Sequence, residues 1–292
     1  MRRFWTLVLG LTAFAASAAP WLEDFEAAKK ASVASGKPIL VDVTGSDWCP
    51  PCQQMEAEVF SRPAFDAVAA KYVLLRLDYP HNIPQSEALK AQNQRLAGTY
   101  PFDGVPTYFM LDGQGQAFGK YTGYVPGGVT AFAALTQNLE KQKPVLDQLG
   151  TAVLQAAAGA ERAKAEDALY QQAEAWNLEW RYAKLPLSII QDDKDGSANL
   201  KPRYQVYNAY NRFLSTWAGS DFKQAVDSLS KLSAQAQPWP DLAQKILFTQ
   251  GMVLLNALGD EAKARDTFRT VRTMAPDTET GRRAAELLDQ LP

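Results

Sequence analysis

The sequence predicts an α/β domain with a mixed central sheet flanked by helices, followed by a domain made only of helical hairpins. Short β-branched runs alternate with helical patterns of apolar residues in the first half of the chain. After Val145 no such run is bracketed by turn residues, and the chain is rich in Ala, Gln, Leu and Glu, most of which favour helices. The chain of 292 residues is also long for a single hydrophobic core. We therefore predict two domains, over 19–143 and 144–292.

The N-terminal residues have the three-part pattern of a secretory signal peptide. Basic Arg2 and Arg3 precede an apolar run over 4–16, and small residues follow. A membrane span needs about 20 apolar residues, so the shorter run here disfavours the alternative of an uncleaved anchor. We expect a signal peptide over 1–18 and a mature protein that is periplasmic or secreted.

The amino-acid composition of the chain disfavours two classes of binding partner. Apolar residues make up 47% and charged residues 21% of the chain, and the formal net charge is −2. These values are ordinary for a globular protein, and no basic patch favours nucleic acid or anionic lipid. We expect neither nucleic acid nor, beyond the signal peptide, a membrane as a partner.

The elements of the first domain follow from the spacing of apolar residues. A helical pattern stops at Gly36 and Pro38, as a glycine and a following proline should stop it. The next segment is a short β-branched run that suits a buried parallel strand. A helix beyond Cys52 restarts or kinks near Pro63, and Asp112 to Gly115 form a hairpin turn. The predicted strands cover 39–43, 72–77, 107–111 and 117–121, and the other predicted helices cover 21–35, 85–96 and 129–139.

One helical hairpin near the C-terminus resembles a tetratricopeptide repeat. Gly259, Ala264, Phe268 and Pro276 match the turn and second helix of such a repeat, whereas Gly251 lies one residue out of register. An irregular helical bundle is the competing interpretation. Stacked hairpins leave a groove that can hold another protein, and the alternative is a domain that only stabilises or dimerises the chain.

The two cysteines of the chain, Cys49 and Cys52, form a Cys-X-X-Cys pattern between a predicted strand and a predicted helix. At the start of a helix, unpaired N–H groups and the helix dipole favour the thiolate of Cys49. Cys52, one turn further, is placed to displace a substrate sulfur from a mixed disulfide. Pro51 fits the first helical turn, where a missing N–H costs nothing. The pattern predicts a thiol-disulfide oxidoreductase in which Cys49 attacks, Cys52 resolves, and no cofactor is needed beyond the redox-active disulfide.

Two thiols at this spacing have other possible uses besides exchange. A zinc site needs four ligands, and the chain supplies two cysteines and one histidine, His81, so we expect no metal site. A purely structural disulfide would close a very short loop and so constrain the unfolded chain little. The serious alternative is a binding protein whose helical domain recruits partners and whose dithiol handles Cu(I), since soft thiolates bind that ion. No methionine or histidine cluster lies beside the pair in the sequence.

The residues around the cysteines resemble the thioredoxin family over about residues 21–142. The resemblance rests jointly on four motifs: Ile39-Leu40-Val41-Asp42, Trp48-Cys49-Pro50-Pro51-Cys52, Gly104-Val105-Pro106-Thr107, and the Gly123 after the last strand. It implies a thioredoxin-like fold for this domain. It also implies that Pro106 is cis and faces the dithiol, with the backbone of Val105 beside it pairing with an extended substrate. Trp48 would then shield Cys49 and offer a flat apolar surface to a partner.

Each of these substrate-binding assignments has a structural alternative. Pro106 could simply begin a strand, a position at which sheets tolerate proline. Trp48 could be a core aromatic at a strand end.

The resemblance also assigns a role to Asp42, as the buried acid that takes and returns the proton of Cys52. The gap between Asp42 and Trp48 is one residue longer than in the family's short form, and a strand-end hydrogen-bonding role is the alternative. Counted from Asp78, the position of the lysine that pairs with this acid in thioredoxin falls on Leu74. We therefore expect Asp42 to be buried without a compensating cation and to have a raised pKa.

The residues between the cysteines indicate the direction of electron flow. Strong oxidants often have a cationic residue there, whereas this chain has Pro50 and Pro51, which favours a reductase of protein disulfides. Exported compartments are oxidising, so such a reductase needs a redox partner as electron donor.

Overall fold

The computed structural model describes residues 20–217 and 221–291. The predicted signal peptide lies outside these residues. The described chain divides into two compact units. The first comprises the residues up to Gln148 together with Gln172–Arg181, and the second comprises Leu149–Gln171 and the residues from Tyr182 onward. The predicted boundary between 143 and 144 stays a prediction.

The first unit is built on a four-stranded mixed sheet, as predicted. Its strands are β1 (Ile39–Thr44), β2 (Val73–Asp78), β3 (Thr107–Leu111) and β4 (Ala117–Thr122), in the order β2-β1-β3-β4. β1 pairs with β2 in parallel and with β3 antiparallel, and β3 pairs with β4 antiparallel. All six residues of β1 are buried, which explains its continuous apolar and β-branched sequence.

Five helices flank this sheet. They are α1 (Phe25–Ser35), α2 (Pro50–Met55), α3 (Asp66–Ala69), α4 (Glu87–Thr99) and α5 (Gly128–Glu140). Asp24 caps α1 by accepting the Ala27 N–H, and Gly36 ends α1 with a φ of 70°, a conformation that favours glycine. The predicted break near Pro63 is confirmed, because a π-helical turn over Glu56–Phe60 and a 3₁₀ turn over Pro63–Phe65 separate α2 from α3.

An aromatic cluster forms the core on one face of the sheet. Phe132 of α5 lies edge-on to Tyr108 of β3 and to Phe60, with ring centroids 5.0 and 5.3 Å apart. Phe65 packs against Phe60 at 5.2 Å. Such aromatic contacts contribute beyond the burial of apolar area, and here they fix the turn that follows α2 against the sheet.

The second unit contains no strand among its described residues, as the sequence predicts. The chain from Gln142 onward forms α6 (Gln142–Gln155), α7 (Ala160–Ala175), a 3₁₀ turn (Glu179–Tyr182), α8 (Leu185–Asp192), α9 (Lys201–Thr216), α10 (Phe222–Gln235), α11 (Pro240–Asn256), α12 (Glu261–Met274) and α13 (Glu279–Gln290). None of the helices in the described part of the chain has the length and apolar character needed to cross a membrane.

The last three helices pack around the residues that suggested a tetratricopeptide repeat. Ala264 and Phe268 of α12 are fully buried, in a cluster that also contains Leu254 of α11 and Ala284 of α13. Gly251 of α11 lies against the Phe268 ring, because a Cβ at this glycine would be 2.6 Å from the ring. The assignment of a repeat stays a prediction.

The contact between Gly251 and Phe268 leads to a test of this packing. In a helix, Gly→Ala normally stabilises by about 1 kcal/mol, whereas overpacking a core costs about 1–3 kcal/mol. We expect Gly251→Ala to lower the free energy of unfolding in spite of its better helix propensity, because the Phe268 ring must move. The matched control is Gly150→Ala in α6, where nothing lies within 4 Å of the added Cβ. Urea unfolding followed by circular dichroism at 222 nm measures both, and equal stabilisation by the two changes would contradict the packing.

Candidate active site

Cys49 and Cys52 are joined by a disulfide at the start of α2. Cys49 is the N-cap residue, and its Sγ accepts the backbone N–H of Cys52 at 3.2 Å. Pro50 and Pro51 occupy the first helical turn. The sulfur of Cys49 therefore lies at the helix N-terminus, where the Cys52 N–H and the helix dipole favour negative charge on it. Both cysteines are buried by the surrounding protein, with 2% of Cys49 exposed.

The loop before β3 lies directly beside the disulfide. The Sγ of Cys49 is 3.5 Å from the carbonyl oxygen of Val105, and the Val105–Pro106 peptide bond is cis, as the family resemblance implies. The carbonyl of Pro106 accepts the N–H of Gly123, at 2.8 Å. The cysteine motif and the motif around Pro106 thus meet at the disulfide, and Gly123 is hydrogen-bonded to the second of them. The roles of Val105 and Pro106 in binding a substrate stay predictions.

Asp42 lies in β1, buried next to a cation. The pairing of β1 with β2 places Asp42 opposite Arg76, and the Arg76 Nε donates to Oδ2 of Asp42 at 3.1 Å. The expectation that Asp42 has no compensating cation is therefore wrong. Counting residues back from Asp78 pointed to Leu74, but strand register decides which side chain faces the acid, and the register selects Arg76.

Arg76 connects the buried acid to a second carboxylate. Its Nη2 donates to Oε2 of Glu56 at 2.8 Å, and Glu56 is about half exposed. The guanidinium also lies over the Trp21 ring, 4.6 Å from the centroid, and near the Phe60 ring at 5.7 Å. The two carboxylates and two aromatic faces hold this cation in one place. The signal for Arg76 in the sequence was an arginine inside an otherwise apolar strand.

Burial raises the pKa of Asp42 to about 6, although the charge and the hydrogen bond of Arg76 act in the opposite direction. Glu56 and Asp78 add to the increase. The other oxygen of Asp42, Oδ1, accepts no hydrogen bond from the described residues. The prediction of a raised pKa is confirmed, and burial is its cause. Asp42 is thus mostly ionised at neutral pH but close to its titration range.

A cavity of about 340 Å³ connects Asp42 with Cys52. It is lined by Asp42, Cys52, Glu56 and Arg76, together with residues of the loop after β1 and of α2. A proton leaving Cys52 therefore has an acceptor on the wall of the same cavity. This placement favours a proton-transfer role for Asp42 over a purely structural one, and that role stays a prediction.

The loop between β1 and α2 is anchored to the end of β2 and the residues after it. The backbone N–H and the hydroxyl of Ser46 both donate to the Asp78 carboxylate, at 3.0 and 2.6 Å. Trp48, with 41% of its surface exposed, donates from Nε1 to the Tyr79 carbonyl at 2.7 Å and stacks on the His81 ring. The extra residue between Asp42 and Trp48 is thus accommodated in a hydrogen-bonded loop. From the sequence, His81 was considered only as a possible metal ligand, and no sequence signal pointed to Asp47, which binds the same turn.

The fold and this site define the class of the protein. A mixed sheet with flanking helices, a Cys-X-X-Cys disulfide after β1 and a cis-proline loop against it make the first unit a thioredoxin-like domain of a thiol-disulfide oxidoreductase. Residues 20–113 match a protein-family model described as thioredoxin-like.

Comparison with curated proteins gives relatives of the same class. The chain is 29% identical over 120 residues to the disulfide bond reductase DsbH of Chlamydia pneumoniae, covering 41% of this chain and 72% of that protein. It is 30% identical over 110 residues to the thioredoxin-related protein DsbJ of the same organism, covering 35% of this chain and 32% of DsbJ. It is 34% identical over 103 residues to the thiol:disulfide interchange protein DsbD of Klebsiella pneumoniae, covering 35% of this chain and 16% of DsbD. The matched segment thus spans most of DsbH, but only about a third of DsbJ and about a sixth of DsbD.

Among solved structures, a DsbH oxidoreductase superposes with a TM-score of 0.41 at 25% identity, covering 47% of this chain and 95% of that one. A thioredoxin from Thermus thermophilus superposes with a TM-score of 0.32 at 21% identity, covering 43% of this chain and 87% of that one.

The raised pKa of Asp42 predicts a pH-dependent cost to stability. Because the folded carboxyl holds its proton up to about pH 6 and the unfolded one only to about pH 4, the folded state binds more protons between these values. The contribution of Asp42 to stability therefore falls as pH rises from 4 through 6. We expect oxidised Asp42→Asn to be more stable than the wild type at pH 7.5, by at most roughly 3 kcal/mol, and this difference to shrink toward pH 4.

Urea unfolding of both proteins at several pH values measures this difference. Comparison with the wild type cancels the titration of the other carboxylates. A difference that is independent of pH between 4 and 7.5 would contradict the raised pKa.

Proposed function

We propose that the protein is exported and reduces disulfides in other proteins through Cys49 and Cys52. The observation that carries the proposal is the position of Cys49, capped by the Cys52 N–H and 3.5 Å from the Val105 carbonyl. Export is supported by the N-terminal pattern over 1–18. The direction is supported by the absence of a cationic residue between the cysteines and by the likeness to a protein named a disulfide bond reductase.

The reaction starts from the reduced dithiol. The thiolate of Cys49 attacks one sulfur of the substrate disulfide, which forms a mixed disulfide and releases the first substrate thiolate. Helix N–H groups stabilise the Cys49 thiolate before this attack. The substrate thiolate takes a proton from water. At this stage the reaction is only half complete, because one substrate sulfur remains bound to Cys49.

Resolution of the mixed disulfide requires a second thiolate, on Cys52. Asp42, ionised at neutral pH and on the wall of the same cavity, takes the proton of Cys52. The Cys52 thiolate attacks the Cys49 sulfur, forms the disulfide seen in the structure, and releases the second substrate thiolate. Two electrons pass to the substrate. Before the next turnover, a dithiol donor must supply two electrons that reduce the Cys49–Cys52 disulfide again.

A substrate segment has a place beside Cys49. The loop that contains Val105 and Pro106 runs past the attacking sulfur, and the Val105 backbone is within reach of a backbone in an extended substrate. Pairing of this kind would hold a protein disulfide in line with Cys49 without selecting a particular sequence. The helical unit is a candidate for recruiting partners.

Replacing each cysteine separately tests the assignment of roles. We expect Cys49→Ser to abolish insulin reduction in the presence of dithiothreitol, because no attacking thiolate remains. Cys52→Ser should instead accumulate covalent mixed disulfides, because Cys49 attacks but nothing resolves the intermediate. Non-reducing gels and mass spectrometry of the trapped species measure this. Mixed disulfides trapped by Cys52 in Cys49→Ser, with none trapped by Cys52→Ser, would reverse the roles.

Replacing Arg76, the cation beside Asp42, tests the role of Asp42 as proton acceptor. Because Arg76 lowers the pKa of Asp42, Arg76→Gln should raise this pKa further, by about one unit or more. We expect the acidic limb of the pH profile of insulin reduction to move to higher pH by the same amount. Arg76→Lys is the matched control, since it keeps a cation in the cavity and should move the limb less. An acidic limb that stays in place in Arg76→Gln and in Asp42→Asn would remove Asp42 from the mechanism.

A further inference from the structure

The residue before the exposed tryptophan binds a turn that is more than thirty residues away. The carboxylate of Asp47 accepts three consecutive backbone N–H groups, those of His81, Asn82 and Ile83, at 2.9, 2.5 and 3.2 Å. These hydrogen bonds, the one from His81 first, keep the pKa of the Asp47 carboxyl below its usual range. Three donors on one carboxylate fix the turn relative to the loop that leads into Cys49.

The indole of Trp48 is held by the same turn. Its Nε1 donates to the Tyr79 carbonyl at 2.7 Å, and its ring lies flat on the His81 ring, with centroids 4.6 Å apart and planes 7° from parallel. Gly45 lies against the indole, since a Cβ there would be 2.6 Å from Nε1. The indole is thus fixed by a hydrogen bond, a stacked ring and a close backbone, while 41% of Trp48 stays exposed.

We propose that Asp47 and His81 are positioning residues that hold the Trp48 ring fixed beside Cys49, as a surface that favours protein disulfides over small ones. This inference rests on the proposed function. An aromatic ring that is already ordered contributes its contact area to a bound polypeptide without a further loss of side-chain entropy. A small disulfide that reaches only the sulfur of Cys49 gains nothing from the same ring.

The stacking of His81 on Trp48 gives the turn a reason to carry a flat ring at position 81. A flat ring at position 81 covers one face of the indole, and any side chain without a ring leaves that face free. Asp47 keeps position 81 in place through the backbone, so loss of its carboxylate should have a similar effect to loss of the His81 ring. Asn82 shares the turn and donates only its backbone N–H to Asp47, which makes its side chain a control for local disturbance.

Steady-state reduction of insulin and of the small aliphatic disulfide bis(2-hydroxyethyl) disulfide by the full chain, each corrected for the uncatalysed rate, separates the two substrate classes. For His81→Ala and Asp47→Ala, kcat/KM toward insulin should fall about three- to tenfold, mainly through KM, which is the range of one aromatic contact. Turnover of the small disulfide should be unchanged. His81→Phe should retain insulin turnover because it keeps a flat ring, and Asn82→Ala should match the wild type.

A spectroscopic readout tests the positioning without any turnover. Acrylamide quenching of the wild type minus that of Trp48→Phe isolates the signal of Trp48 among the seven tryptophans of the chain. The same subtraction in a His81→Ala background should show stronger quenching of Trp48, and in a His81→Phe background it should not.

Two results would overturn the proposal: unchanged insulin kinetics in both His81→Ala and Asp47→Ala, or equal losses toward insulin and the small disulfide. A wild type that reduces neither substrate would instead defeat the proposed function, and the quenching comparison would still decide whether the turn holds Trp48.

Discussion

The parallel pairing of β1 with β2 is the constraint on which the site depends. β1 is an inner strand that carries Asp42 and leads into Cys49, and β2 supplies the cation that pairs with the buried Asp42 carboxylate. An isolated carboxylate in the middle of a sheet would carry a desolvation penalty of several kcal/mol. The register sets Arg76 beside Asp42 and so offsets part of that cost. Because the offset is partial, the pKa of Asp42 stays raised, at about 6, in the range where a carboxylate exchanges protons near neutral pH.

The same strand pair also orients the loop that carries the cysteines. Asp78, the last residue of β2, binds Ser46, and directly beyond it the Tyr79 carbonyl accepts from Trp48 and the turn at His81 binds Asp47. Three successive residues before Cys49 are therefore held from one side by the end of β2 and the chain that follows it. From the other side, Val105 approaches the sulfur of Cys49. The sulfur of Cys49 thus has a fixed position between two loops, which is what an in-line exchange between sulfur atoms requires.

The parts of this site that depend on short-range sequence patterns could be predicted from the sequence. The strand before the cysteines, the proline turn of α2 and the break near Pro63 all follow from short-range patterns of apolar and turn residues, and the structure has each of them. The cis bond at Pro106 came from family resemblance, because no local pattern specifies the isomer of a proline bond. Arg76 was missed for a different reason. Which residue of one strand faces a given residue of another depends on register, and a count along the sequence from Asp78 gave a position two residues away from the true one.

The turn at His81 is a second feature that could not be predicted from the sequence, again because it depends on how the strands pair. Asp47 and His81 are ordinary polar residues in a loop and a turn, and nothing in their own neighbourhoods distinguishes them from solvated side chains. Their importance arises only when β1 and β2 lie side by side, because the loops that leave the same edge of two parallel strands then meet. Side chains at such edges are positioned by the sheet while their surfaces remain open to partners. In this domain the sheet therefore provides both the buried acid beneath the disulfide and the ordered aromatic surface beside it.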